Sequence, residues 1–284
     1  MVNARARRYG TGGGFGLEGE LRRLAPWALA LMLCACGGAS SGAPPGADPT
    51  RMSVTEYDVA RDLWLSKHRP REALEHALRA VELDEDNAEA AHLVALLYLD
   101  FCSRSPTECQ LKQAESHARQ ALRARPEFRE ARNTLGVILI HAGQYPQAIE
   151  VLLPLSQDIL YTTPENAWGN LGWAYLESGQ LERAIDALKR AVAAQPLFCV
   201  GNYRLGIAYE RKKQLNASLE ALTRALETEH PGCKAMQAAY AARARVSIQL
   251  GRGDAARRDL AECTRLGKAT NFGKECASIA QKLE

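Results

Sequence analysis

The sequence predicts an all-α solenoid of about six helix-turn-helix repeats, closed by a C-terminal capping helix. Three observations carry this reading. The 284-residue chain is rich in alanine, only 6% aromatic and poor in Val-Ile-Thr alternation, a balance that favours helices. Small and large apolar residues recur at a spacing of 34 residues. Gly143-Gln-Tyr, Gly179-Gln-Leu and Gly251-Arg-Gly punctuate the paired segments as turns.

Taken in order, the first element is an address. Leu24 to Leu33 form an apolar run preceded by Arg22 and Arg23, too short to span a bilayer and laid out like a secretory signal. Residues 1–20 exceed what such a segment needs, so translation is expected to start further in. Leu33-Cys34-Ala35-Cys36 resembles the bacterial lipobox, with a small residue just before Cys36. Residues 1–35 are therefore expected to be removed and Cys36 to be lipidated. Two or more acyl chains would anchor it, since each buried CH₂ contributes about 0.8 kcal/mol. Gly37 follows where Asp would retain a lipoprotein at the inner membrane, so the expected address is the periplasmic side of the outer membrane. Residues 36–53, with GGASSGAPPGADPT at their centre, carry no apolar face and are expected to form a flexible linker.

The repeats follow. Residues 165–198 hold Trp168, Leu171, Gly172, Tyr175, Ala184, Leu188, Ala191 and Pro196. Residues 199–232 repeat the frame with Leu205, Gly206, Tyr209, Ser218, Leu222 and Ala225, and residues 129–162 with Leu135, Gly136, Leu139, Ala148 and Leu152. Residues 54–87, 88–128 and 237–270 are looser copies, the second carrying seven extra residues. Residues 271–284 would cap the stack. The pattern resembles the tetratricopeptide repeat (TPR). Small residues let the two helices of a pair approach, large ones fill the gaps, and proline stops the second helix. One pair cannot bury its apolar face alone, so neighbouring pairs must stack.

Charge restricts the partners. Five of the 36 basic and two of the 33 acidic side chains fall in residues 1–35, which leaves 31 of each in the remainder. No basic surplus favours nucleic acid. No nucleophile elbow, phosphate loop or zinc spacing occurs, and the six histidines are scattered over different repeats. The expectation is a non-enzymatic protein-binding scaffold without catalytic residues, metal or cofactor.

Six cysteines remain after Cys34 and Cys36, an even number that suits disulfides in an exported chain, with fifteen pairings open. Cys102 and Cys109 bracket the insertion of the second repeat and can close locally. Cys263 replaces a core alanine on the last repeat and Cys276 lies on the cap that packs there. Cys199 and Cys233 are left, and they meet only if Pro231-Gly232 bends the chain inward.

A TPR array offers the face lined by its first helices. Its non-core positions are Asn133 and His141 in repeat three, Asn170, Trp173 and Glu177 in repeat four, and Tyr203, Arg204, Glu210 and Arg211 in repeat five. Asn170 and Arg204 resemble part of the carboxylate clamp of chaperone-binding TPR domains, but Val137 and Val200 stand where that clamp has Asn and Lys. Trp173 does not fit a core position, and a groove tryptophan is a candidate hot spot. Packing against a neighbouring helix is its other reading.

An exported lipoprotein with six such repeats is similar to the type IV pilus pilotin family (PilF, PilW, Tgl). Ala114-Glu-Ser-His-Ala-Arg-Gln-Ala-Leu with Pro126 and Asn133-Thr-Leu-Gly resembles the family's passage from repeat two to three. Leu160-Tyr161-Thr-Thr-Pro164-Glu-Asn-Ala-Trp-Gly-Asn170-Leu-Gly resembles its passage into repeat four. The cysteine-rich C-terminal part looks most like the Tgl branch. The resemblance implies a right-handed superhelix that helps the outer-membrane secretin, PilQ, reach the membrane and assemble. A TPR lipoprotein adaptor for barrel-insertion or peptidoglycan-synthesis machinery is the alternative on the same fold.

Overall fold

A computed structural model describes residues 48–227 and 230–283. Among them the chain is helical with no strand. Six helix pairs follow one another: α1 (Pro49–Leu65) with α2 (Pro70–Leu83), α3 (Ala88–Arg104) with α4 (Leu111–Ala124), α5 (Arg129–His141) with α6 (Tyr145–Ser156), α7 (Pro164–Glu177) with α8 (Leu181–Ala194), α9 (Cys199–Arg211) with α10 (Leu215–Leu226), and α12 (Gln237–Gln249) with α13 (Gly253–Leu266). A short α11 (Pro231–Lys234) sits between the last two pairs, and α14 (Asn271–Gln281) closes the stack.

The pairs are held at close range by one recurring contact. A methyl group on Gly136, Gly172 or Gly206 would lie 2.4–2.5 Å from the Cγ of Leu152, Leu188 or Leu222, respectively. Each glycine thus lets a leucine of its own second helix reach the first helix backbone. In the sixth repeat Ala244 and Leu260 fill the same positions, both fully buried.

The turns repeat as closely. Gly143, Gly179 and Gly251 adopt φ of 72°, 79° and 72°. The residue after each donates its N–H five residues back, as from Gln144 to Leu139 (2.8 Å) and from Gln180 to Tyr175 (2.9 Å). This left-handed closure ends the first helix and starts the second with three residues between them. Repeat five makes the same turn with Lys213 at φ 62°, whereas repeat one turns one residue later around His68 at φ 56°, its closing bond running six residues back from Arg69 to Leu63 (2.8 Å); no glycine marks either.

Three features depart from the sequence-based boundaries. The first helix begins at Pro49, inside the expected linker 36–53, because Asp48 accepts the Thr50 N–H (3.1 Å) and Pro49 occupies the first turn. The second repeat spends part of its insertion on a longer first helix, which carries Cys102 on its last turn. The α11 turn, not expected as a helix, lies between repeats five and six.

The cysteine sulfurs lie at bonding distance in three pairs, Cys102–Cys109, Cys199–Cys233 and Cys263–Cys276. The middle pair joins the start of α9 to α11, with Cα atoms 5.9 Å apart, so the chain does bend inward at Pro231-Gly232.

First helices of successive repeats contact each other directly, α1 with α3, α3 with α5, α5 with α7, α7 with α9 and α9 with α12. The second helices instead bridge to the next repeat's first helix. The first helices therefore form the inner wall of the stack.

Candidate partner-binding groove

A line of polar contacts runs across this inner wall from repeat to repeat. Asn170 on α7 donates through Nδ2 to Oδ1 of Asn133 on α5 (3.0 Å). Arg204 on α9 donates through Nη1 to Oδ1 of Asn170 (3.1 Å) and to the Gly169 carbonyl (3.2 Å). Three of the sequence-selected residues, from three repeats, are thus one chain of hydrogen bonds. Further along, Arg211 donates to the Leu176 carbonyl (2.8 Å) and to Glu177 Oε1 (3.2 Å). Glu210 accepts from Arg245 of α12 at 3.3 and 3.4 Å, and Arg245 also reaches Glu275 of α14 at 3.1 Å.

Trp173 stands in the middle. Its ring is partly buried against the core, with His141 edge-on at 5.1 Å and the Arg204 guanidinium 4.2 Å from the ring centroid. This tryptophan packs on neighbouring first helices and also borders a hollow. That hollow, of about 400 Å³, lies between α7, α9 and the start of α12. Trp173, Glu177, Tyr203, Arg204 and Arg211 line it together with Val200, Ile207 and Met236. Asn133, Asn170 and His141 support its wall, and Glu210 is turned to Arg245 instead.

The electrostatics follow from burial. Desolvation lowers the Arg204 pKa to about 10, against the raising effect of Tyr203 and Glu177, and the side chain stays cationic at neutral pH. Burial, helped by the Arg204 charge, holds the His141 imidazole below its ordinary pKa and so neutral. Burial raises the Tyr203 phenol, which stays protonated. The hollow combines an apolar floor, hydrogen-bond donors and positive charge. That is the chemistry of recognition.

Sequence reasoning missed two parts of the wall. Val200, Ile207 and Met236 are floor residues that a repeat alignment leaves as generic apolar positions. Met236 reaches the hollow through the α11 insertion. A second hollow, of about 180 Å³, opens at the other end of the wall and is lined by Tyr57, Arg61, Trp64, His92, Leu93, Leu96 and Phe128 among others. Trp64, an aromatic outside the repeat's small positions, was the signal available for it.

Among the described residues no group of three or more His, Cys, Asp or Glu side chains is arranged to hold a metal ion. Among them also, no helix is long and apolar enough to cross a membrane. Cys36 and the signal segment lie outside the described residues.

Comparison with known proteins places this geometry in context. Tetratricopeptide repeat profiles match residues 108–159 and 165–198. Type IV pilus assembly protein PilF of Pseudomonas aeruginosa is 24% identical over 165 residues, which is 58% of this chain and 63% of that protein. Superkiller protein 3 of Schizosaccharomyces pombe is 28% identical over 120 residues, 42% of this chain and 8% of that protein. The aligned stretch thus spans less than two thirds of either relative. Among solved structures, PilW, described as a widely conserved type IV pilus biogenesis factor, superposes with a TM-score of 0.65 at 21% identity, covering 78% of this chain and 96% of that one. The Pseudomonas aeruginosa PilF structure superposes at 0.63 and 17% identity, covering 82% and 100%. The chain is a tetratricopeptide-repeat protein with sequence and structural similarity to the type IV pilus biogenesis factors PilF and PilW.

Proposed function

We propose that this protein is a lipid-anchored, pilotin-like scaffold that promotes outer-membrane placement and multimer assembly of a type IV pilus secretin. The observation that carries the reading is the coincidence of two independent features. One is a helical stack that superposes on nearly the whole of the PilF and PilW structures. The other is a signal-like segment ending in Leu33-Cys34-Ala35-Cys36.

The physical logic is local concentration. Acyl chains on Cys36 hold the stack at the inner leaflet of the outer membrane, and the chain up to Asp48 supplies reach. Protomers captured on the inner wall then meet at the membrane surface, so their encounters become effectively intramolecular. Binding with no covalent step suffices. The candidate groove residues are Asn133, His141, Asn170, Trp173, Glu177, Tyr203, Arg204, Glu210 and Arg211.

Deleting the gene and probing outer-membrane fractions for heat- and detergent-resistant secretin multimers tests the reading. Loss of multimers with monomer still present is the expected result. Normal multimers would overturn it. Mass spectrometry of the mature N-terminus tests the anchor separately: diacylglycerol and an acyl chain on Cys36 are expected, and an unmodified N-terminus would remove the anchor from the proposal.

A further inference from the structure

The arginines on the first helices of repeats four to six divide into two kinds. Arg211 is paired with Glu177, Arg243 with Asp259, and Arg245 with both Glu210 and Glu275. Arg204 alone has no carboxylate within 4.0 Å among the described residues. All its hydrogen bonds run through Nη1, to neutral oxygens. A guanidinium has five N–H donors, so Nε and Nη2 remain available, and neither is sealed from solvent without a partner. The other charges lining the hollow, Glu177 and Arg211, are paired with each other, and Glu177 acts on Arg204 only through space. A half-buried cation without a counter-ion is costly, and an incoming anion relieves that cost. Around it lie Trp173, Ile207, Val200 and Met236, an apolar floor.

We propose that the hollow between α7, α9 and α12 takes an aspartate or glutamate side chain from an extended protein segment, with the carboxylate on Arg204 and an adjacent apolar side chain on Trp173, Ile207 and Met236. This rests on the reading of the inner wall as a partner groove and names what the groove selects. An internal side chain is favoured over a chain end for two reasons. The wall continues on both sides of the hollow, towards Asn133 on α5 and Arg245 on α12, so a bound chain can pass through. The positions that would clamp a chain end with Asn and Lys are Val137 and Val200.

A phage-displayed dodecapeptide library tests this. Its peptides are fused at their C-termini and so offer only side-chain carboxylates. The target is the full chain in detergent micelles with disulfides intact. Winning peptides are then synthesised with amidated C-termini. Winners should carry Asp or Glu beside Phe, Leu, Met or Trp. Changing that acid to its amide, or Arg204→Gln in the protein, should each weaken binding about tenfold or more, and the two together no further than either alone. Arg204→Lys should retain part of the affinity. The His141 imidazole, followed by NMR, should titrate at higher pH with peptide bound, because the carboxylate offsets the Arg204 charge. The peptide amide variant leaves the protein untouched, so a folding defect in Arg204→Gln does not blur the outcome. Winners without acidic preference, or acidic winners indifferent to Arg204→Gln, would overturn the carboxylate site. If such winners are still lost on Trp173→Ala or Trp64→Ala, the groove reading survives without it. Absence of any winner would remove both.

Discussion

His92 shows what one buried imidazole does to the chain's acid tolerance. It bonds Thr134 on the next first helix at 2.9 Å and lies edge-on to Phe128 at 4.9 Å. Burial, aided by the Arg125 charge, lowers its pKa from 6.5 to about 4. The neutral form is thus favoured in the folded state. As pH falls below 6.5 the unfolded chain takes up the proton first, so this contribution is complete above 6.5 and is lost on the way down to 4. The full loss is on the order of 3 kcal/mol. Chemical denaturation of the wild type and of His92→Gln at pH 7 and at pH 4.5 measures it. The variant should show the smaller drop between the two pH values, and equal drops would place the acid sensitivity elsewhere. At this scale the sequence is readable in part. The non-core positions of repeats four and five point to Trp173 and Arg204 directly. That Arg204, among the described first-helix arginines of repeats four to six, is the one without a carboxylate is not readable, because pairing depends on which side chains meet across helices. Once the register is known, some of it follows: Glu177 and Arg211 are 34 residues apart, and so are Asn170 and Arg204.

Three substitutions, two destabilising and one stabilising, test the geometry of the helix pair. Gly172 lies beneath Leu188 so closely that an added methyl would sit 2.5 Å from its Cγ and 3.2 Å from its backbone nitrogen. The backbone cannot yield as a flexible side-chain tip could. Gly172→Ala should therefore destabilise by about 1–3 kcal/mol. Lys213 occupies the left-handed turn position that glycine fills in three other repeats. It is exposed, and a side chain there carries a backbone cost that glycine avoids. Lys213→Gly should stabilise by about 0.5–1 kcal/mol, and Gly179→Lys should lose a similar amount. Urea midpoints read all three, and a gain from Gly172→Ala would mean that the helices of a pair can slide apart freely. The glycines at 143, 179 and 251 make their turns legible in the sequence, because a glycine between two apolar-periodic segments marks a left-handed helix end. His68 and Lys213 adopt the same conformation without that mark, since packing of the two helices imposes it. The start at Pro49 is legible in principle from Asp48-Pro49, a cap followed by a first-turn proline, but the Gly- and Ser-rich composition preceding it hides the signal.

A stack of repeats carries its stability between neighbours, so its ends are where it frays. At the C-terminal end, α14 covers the last pair. Cys276 is fully buried and bonded to Cys263, while Ile279, Ala280 and Leu283 pack against the cluster of Ala241, Ala244, Ala256 and Leu260. Glu275 adds the link to Arg245, which in turn holds Glu210 of the preceding repeat. Removing residues 271–284 exposes that cluster and takes one of the two carboxylates from Arg245. The Cys263→Ser background avoids a stray thiol. Amide hydrogen exchange of this truncation should rise most in α12 and α13, less in α9 and α10, and negligibly in α3 to α6, because each repeat touches only its neighbours. Binding at the hollow should weaken as well, since Met236 and Ala238 line its α12 side. A uniform rise in exchange from α1 to α13 would show instead that the stack unfolds as one unit. Unchanged exchange in α12 would show that the last pair holds its apolar face without a cap.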